Sequence, residues 1–363
     1  MSNPDCIIVG GGAIGLMSAH FLTRAGMRVE LFEQGELARE STWAGGGIVS
    51  PMYPWRYDDA VNRLAAYGQK HYPAFLRQLH EETGVDVQLL PSGMLMLDAP
   101  EPAMWDWAQR WSAQIEHLDS RSALEDIQPG LADEFDRGLW MPQINQLRNP
   151  RLAKALAAGA RQTAHLKIVT HTPVEEVLLE GDRVVGIRAG GQVVRSERVL
   201  VTAGAWSGNL MPEACQSPVD VYPVKGQMIL FAADPSLLRR MVMLNSRYLI
   251  PRKDGLIVVG STLEFEDYNK QTTSEAMSDL RRSAVELVPA LEKIPVVHQW
   301  AGLRPGSAEG IPFIGECPAV EGLYVNAGQF RNGIVMGLGS ALLGAQLMMG
   351  EPPFIDPAPY RLS

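Results

Sequence analysis

The chain has 363 residues, 46% hydrophobic and 20% charged, which suits a soluble globular protein with a sizeable core in one large domain or two intertwined ones. Its formal net charge of −9 argues against nucleic acid or a membrane surface as the main partner, since both require a basic face. Any anion the chain binds must be met by a local cluster of cations.

The N-terminal stretch "CIIVGGGAIGLMSAHFLTRAGMRVELFEQ" predicts an apolar strand, a glycine turn, a helix from about Ala13 to Ala25, and a second strand ending at Glu33. Gly10, Gly12 and Gly15 form a GxGxxG pattern with Ala13 and Ile14 between the last two. The first glycine permits the tight turn, the second a close approach of backbone to a pyrophosphate, and the third close helix–strand packing. The phosphates would lie on the helix N-terminus, where free N–H groups and the dipole favour negative charge. Glu33, with Gln34 after it, ends the second strand and would accept hydrogen bonds from ribose hydroxyls. In that context the pattern points to a dinucleotide, with NAD and FAD both open.

The next stretch, "ARESTWAGGGIVSP", supplies Ser41, Thr42, Gly45, Gly46, Gly47 and Ile48. A second set of hydroxyls and bare backbone suits a second phosphate and a flat ring, which favours a flavin; the alternative is a surface glycine loop. After residue 80 the chain turns Trp- and Met-rich and helical in "PEPAMWDWAQRWSAQI", and an amphipathic helix begins at Asn149. A small meander follows, with Val174 in one of its strands, and it ends in the apolar strand "RVLVTAG". From Pro218 to Gln299 antiparallel strands with one helix on a face are expected, and Arg252 and Lys253 in "PRKDG" read as a turn carrying solvated charges.

Arg304 lies in "WAGLRPGSAEGIPFIG", and Arg331 in "GQFRNGIVMG" after the strand "GLYVNAG". Arginine carries a permanent charge and a rigid fork of donors that matches a carboxylate or phosphate. The uncharged run from 333 to 350 is long enough for a membrane span, but its five glycines favour a buried helix packed closely on a sheet. Cys6, Cys215 and Cys317 are widely spaced, suggest neither a disulfide framework nor a metal site, and fit a reducing compartment. The N-terminus lacks a basic segment, so no signal peptide is expected and the chain reads as cytoplasmic.

The motifs "IIVGGGAIG", "FEQG", "STWAGGGIVSP", "HTPVEEV", "VLVTAGAWSG", "YPVKGQM", "YLIPRKDGLIVVGST", "WAGLRPGS", "GIPFIG" and "GQFRNGI" occur in one order along the chain. In that order they resemble the FAD-dependent D-amino-acid oxidase and sarcosine oxidase family, and within it the branch that acts on glycine. The resemblance implies an α/β plus α+β architecture. A discontinuous Rossmann-like FAD-binding domain would comprise 1–80, 147–215 and 300–363. An antiparallel-sheet substrate domain would comprise 81–146 and 216–299.

It further implies that the backbone of Val174 meets the adenine. Gln329, Phe330, Arg331, Asn332, Gly333, Ile334 and Val335, at a strand end leading into a helix, would lie on the cofactor. Tyr248 and Arg304 match the residues that hold the substrate carboxylate, with Arg331 matching a second arginine. FAD is expected to be noncovalent, because Cys317 falls after the attachment site used by some sarcosine oxidases.

The implied reaction needs no dedicated base: with the carboxylate clamped and the amine neutral, the α-hydrogen leaves as hydride and water hydrolyses the imine. Oxygen is the implied electron acceptor, small amino acids and secondary amines (glycine, sarcosine, D-alanine, D-proline) the substrates, and a homo-oligomer fits the family. Ile48 and Leu263 replace methionines of the pattern, which leaves the pocket wall open. The competing readings are a dehydrogenase of the same fold with another acceptor, an oxidase of larger D-amino acids, an NAD enzyme, and a nucleotide-binding protein without catalysis.

Overall fold

The structure, a computed structural model, describes residues 3–98, 100–216 and 219–362. It opens with β1 (Cys6–Val9), α1 (Ala13–Arg24) and β2 (Val29–Phe32), followed by the single turn α2 (Ser41–Ala44). The long α3 (Asp59–Thr83) starts where the Asp58 side chain accepts a hydrogen bond from the Ala60 amide and stops at Gly84, whose φ of 70° suits the left-handed cap. Next come β3 (Met94–Met96), α4 (Pro102–Trp111), β4 (Glu116–Leu118), α5 (Arg121–Ile127), β5 (Gly138–Met141) and α6 (Asn149–Gln162). The meander is β6 (Leu166–Val169), β7 (Val174–Glu180), β8 (Arg183–Ala189), β9 (Gln192–Arg195) and β10 (Val199–Val201). After α7 (Glu213–Gln216) run β11 (Tyr222–Ala232), β12 (Met241–Leu244), β13 (Arg247–Pro251), β14 (Leu256–Gly260), α8 (Ser274–Leu287) and β15 (Val296–Gly306). The last elements are β16 (Phe313–Glu316), β17 (Leu323–Ala327) and α9 (Gly333–Met349).

Among the described residues three sheets result. The first has the order β16-β17-β10-β1-β2-β6 and is parallel apart from its edge strand β16. Its strands are short and apolar on both faces, as a sheet covered on two sides requires. One face carries Ile8, Leu31 and Leu200 into a core shared with α1, α3, α6 and α9. The other carries Ile7, Val9, Val201 and Val325 against Val184 and Ile187 of the small sheet β7-β8-β9. The strand order reverses at β1, between β2 and β10, which is where ligands settle in open α/β sheets.

The third sheet has the order β15-β11-β14-β13-β12-β3-β5-β4, antiparallel except for the β12–β3 pair. Period-two alternation divides it cleanly. Ile229, Phe231, Leu249 and Val259 pack on Leu280, Ala284 and Leu287 of α8, whereas Met228, Met243, Tyr248, Ile250 and Val258 form a methionine-rich opposite face. β15 runs through residue 300, the boundary expected from the sequence between the two domains.

The apolar helix α9 belongs to the core. The segment Phe330–Met349 is long and apolar enough to cross a membrane by composition, yet 67% of its apolar 18-residue window is buried inside the fold. Its glycines let neighbours approach closely, and α3 does the same from its side: a Cβ on Gly68 would lie 1.8 Å from the Val335 carbonyl oxygen. The Tyr72 hydroxyl donates to the Ile334 carbonyl at the same crossing.

Two expectations fail. Cys215 and Cys317 are joined in a disulfide across 102 residues, leaving Cys6 as the free cysteine among the described residues. So wide a separation leaves no spacing pattern to read. Arg252, expected in solvent, is 6% exposed and buried under the loop that holds Gly46, while its neighbour Lys253 is exposed as expected. The turn was legible, but the side chain on its inner side was not.

Candidate active site

One cavity runs from the carboxyl end of β1 and β2 to the methionine-rich face of the large sheet. At its first end Gly10, at φ 108°, turns the chain, and a Cβ on Gly15 would stand 2.0 Å from the Gly10 carbonyl oxygen. The Glu33 carboxylate accepts hydrogen bonds from the Gly11 and Gly35 amides, both at 2.8 Å, which fixes it at the end of β2. The Thr42 hydroxyl accepts from the Ala13 amide at 2.9 Å, tying the second glycine loop to the N-terminus of α1. The Gly12 and Ile14 amides have no acceptor among the described residues.

The loop from Thr42 to Gly47 is held from behind by its carbonyls. Asn149 donates to Thr42 O at 2.7 Å, the Trp300 indole to Ala44 O at 2.9 Å, Arg252 to Gly46 O at 2.7 Å and the Leu147 amide to Gly47 O at 2.8 Å. Gly45, Gly46 and Gly47 are glycine for lack of space. A Cβ would come within 2.7 Å of Asn149 at Gly45, 2.9 Å of Ile250 at Gly46 and 2.0 Å of the Leu147 carbonyl at Gly47.

At the other end, β15 delivers Arg304 and β13 delivers Tyr248. Arg304 donates to Ser261 Oγ at 2.6 Å and to the carbonyls of Lys225 and Thr262 at 3.3 Å. Burial pushes its pKa below the ordinary guanidinium value; the adjacent Tyr248 hydroxyl works against that shift and the Arg331 charge adds to it. Arg331 enters from the turn before α9 and meets the sulfur of Met52 at 4.0 Å. Neither arginine has a carboxylate partner among the described residues. Burying the Arg304 guanidinium beside a second one, at one end of one cavity, is costly.

Of the expected site residues, Gly10, Gly12, Ala13, Ile14, Glu33, Gln34, Ser41, Thr42, Gly45, Gly46, Gly47, Ile48, Val174, Tyr248, Arg304, Gln329, Phe330, Arg331, Gly333 and Ile334 line the cavity. Gly15, Asn332 and Val335 stand behind its wall. Sequence reasoning missed Thr202 to Trp206, Gly226, Met228, Ser261 and Met52. The strand-end rule could have found the Thr202 turn, which follows β10 as the Gly10 turn follows β1.

The glycine cradle and the fixed acid at the end of β2 fit a dinucleotide, and the second glycine loop fits its far end. A family profile described as FAD dependent oxidoreductase matches residues 5–347. The chain belongs to that family. It is 46% identical over 356 residues to glycine oxidase of Pseudomonas aeruginosa, a match covering 98% of this chain and 97% of the relative. It is 44% identical to glycine oxidase of Pseudomonas putida over the same shares. The crystal structure of glycine oxidase from Geobacillus kaustophilus superposes with a TM-score of 0.92 at 27% identity, covering 100% of this chain and 99% of that one. FAD is therefore the cofactor of this fold, and the NAD reading falls away.

Proposed function

We infer that the chain catalyses FAD-dependent oxidative deamination of glycine and small amino acids or secondary amines. The products are an oxo acid, ammonia or an amine, and hydrogen peroxide. The observation that carries the substrate class is the end of the cavity where Arg304, Tyr248 and the unpaired Arg331 converge: that arrangement calls for a small ligand dominated by a carboxylate. The glycine oxidase relatives support the same reading.

In this reading Arg304 and Tyr248 hold the carboxylate and Arg331 adds a second cation, so that the α-carbon is fixed in one orientation. FAD, bound noncovalently along the glycine cradle, supplies the two-electron acceptor. The acids that line the cavity are already engaged: Glu33 by two amides, Glu40 by Lys270 and Glu175 by the Gly191 amide. Orientation, rather than a dedicated base, is what the protein contributes, and a neutral substrate amine is the form that reacts.

We further assign the FAD-binding part to 1–80, 147–215 and 300–363, and the substrate part to 81–146 and 216–299. Oxygen as acceptor and a cytoplasmic location belong to the same proposal; the Cys215–Cys317 bond, at most 2% exposed, is shielded from cytoplasmic reductants. Leu263, expected at the pocket wall, is 45% exposed and lies outside the cavity lining; a homo-oligomer belongs to the same proposal. The deciding experiment is peroxide formation with glycine, sarcosine, D-alanine, D-proline, D-valine and D-phenylalanine. Efficiency should be highest for the small compounds. A steady rise with side-chain size would replace this reading with a general D-amino-acid oxidase, and flavin reduction without peroxide would replace it with a dehydrogenase.

A further inference from the structure

Arg252 takes no part in the cavity wall, yet its guanidinium is buried without a carboxylate partner among the described residues. Nη1 donates to Gln146 Oε1 at 2.6 Å and to Leu147 O at 2.9 Å, and Nη2 donates to Gly46 O at 2.7 Å. The adjacent acid, Asp254, is paired with Arg148 at 2.6 Å. Gln146 completes the set by donating to Ser92 Oγ and to the Pro251 carbonyl. Burial lowers the pKa of Arg252 to about 10, and a cation kept in such a place at such a cost calls for a use.

The use follows from peptide geometry. A trans peptide points its N–H opposite to its carbonyl. With Gly46 O drawn back to Arg252, the Gly47 N–H points the other way, and it has no acceptor among the described residues. Gly46 and Gly47 both line the cavity. The fork spans two chain segments at once, Gly46 and Leu147, which an ammonium on a flexible stem cannot match.

We propose that Arg252 is a positioning residue for the cofactor: it holds the Gly46 carbonyl turned away from the cavity, so that the loop presents the Gly47 N–H and a nearby positive charge to bound FAD. This rests on the family's cofactor and is independent of which amine is oxidised.

The test compares Arg252→Met and Arg252→Lys with the parent protein. The measurements are titration of the apoprotein with FAD by flavin fluorescence, the visible spectrum of the bound flavin, the apoprotein melting temperature, and kcat and KM for glycine at saturating FAD. Arg252→Met should raise the FAD dissociation constant about tenfold or more, the scale of one charged hydrogen bond, and alter the bound-flavin spectrum. KM for glycine should stay within about threefold, because the carboxylate end of the cavity is untouched. Arg252→Lys should fall between the two. An unchanged dissociation constant and spectrum in Arg252→Met overturns the proposal, including the case where only the apoprotein melting temperature falls. Should Arg252→Met not fold, the same two readouts on Arg252→Lys decide, and parent-like values overturn it. Failure of the parent to oxidise glycine would instead leave FAD binding intact and count against the substrate reading alone.

Discussion

Gly226 is the most economical place to separate the position of Arg304 from its charge. A Cβ built there would lie 2.2 Å from Nη2, 2.4 Å from Nη1 and 2.5 Å from Cζ of Arg304. Ordinary contact would need roughly 3.4 Å or more, so in Gly226→Ala the guanidinium must withdraw by about 1 Å. The strand tolerates this, because the displaced atoms are the far end of one side chain and the paired backbone of β11 and β15 stays in place. The hydrogen bonds to Ser261, Lys225 and Thr262 do not survive such a shift together.

Misplacing a substrate-holding group by about 1 Å costs on the order of 100-fold, equivalent to about 2.7 kcal/mol of transition-state stabilisation. Gly226→Ala should therefore lower kcat/KM for glycine about 100-fold in the peroxide assay and weaken the spectral response of the flavin to acetate by a similar factor. FAD content and melting temperature should stay near the parent values. An efficiency within about threefold of the parent would refute the reasoning, since Arg304 would then be either away from the substrate or free to move without consequence.

Arg304→Ala should cost more, about 2 to 5 kcal/mol in kcat/KM with FAD content retained, whereas Tyr248→Phe should cost about 0.5 to 1.5 kcal/mol; loss of FAD at normal efficiency per flavin would make Arg304 a cofactor residue. Cys215→Ser opens a loop of 102 residues and should destabilise the protein by about 2 to 4 kcal/mol without changing kcat; equal melting temperatures for variant and parent would show that the bond does not form in solution. Acid precipitation should leave all flavin in the supernatant, and a yellow pellet would show a covalent link.

The strand, turn and helix around Gly10 were legible because local constraints fix them: a tight turn, a phosphate-binding helix end and an acid at the next strand end are all set within one short stretch. That Arg304 and Arg331 would share one site was an expectation of the family resemblance, and the fold does bring both to one cavity. What escaped were properties created by pairing distant strands. Ser261 meets Arg304 only because β11 aligns with both β14 and β15, and nothing near Ser261 marks it. Arg252 misled for the same reason: in "PRKDG" the turn is local, but burial depends on Gln146 and the glycine loop, more than 100 residues away. The disulfide shares that cause.

The parallel sheet also has a consequence for how the protein is made. β1 begins at residue 6, but its neighbours on one side are β10 at 199–201 and then β17 at 323–327. A nascent chain can form the first strand, turn and helix early, yet that sheet closes only once residue 327 has been synthesised, and α9 covers it only once residue 349 has followed. Until then the apolar faces of β1 and α1 remain open to chaperones or to wrong partners, as non-local pairings do in slow folders. A chain stalled before residue 330 lacks Arg331, Gly333 and Ile334 of the cavity wall and all of α9, so truncation at that point should be tolerated far less than its distance from the glycine motif suggests.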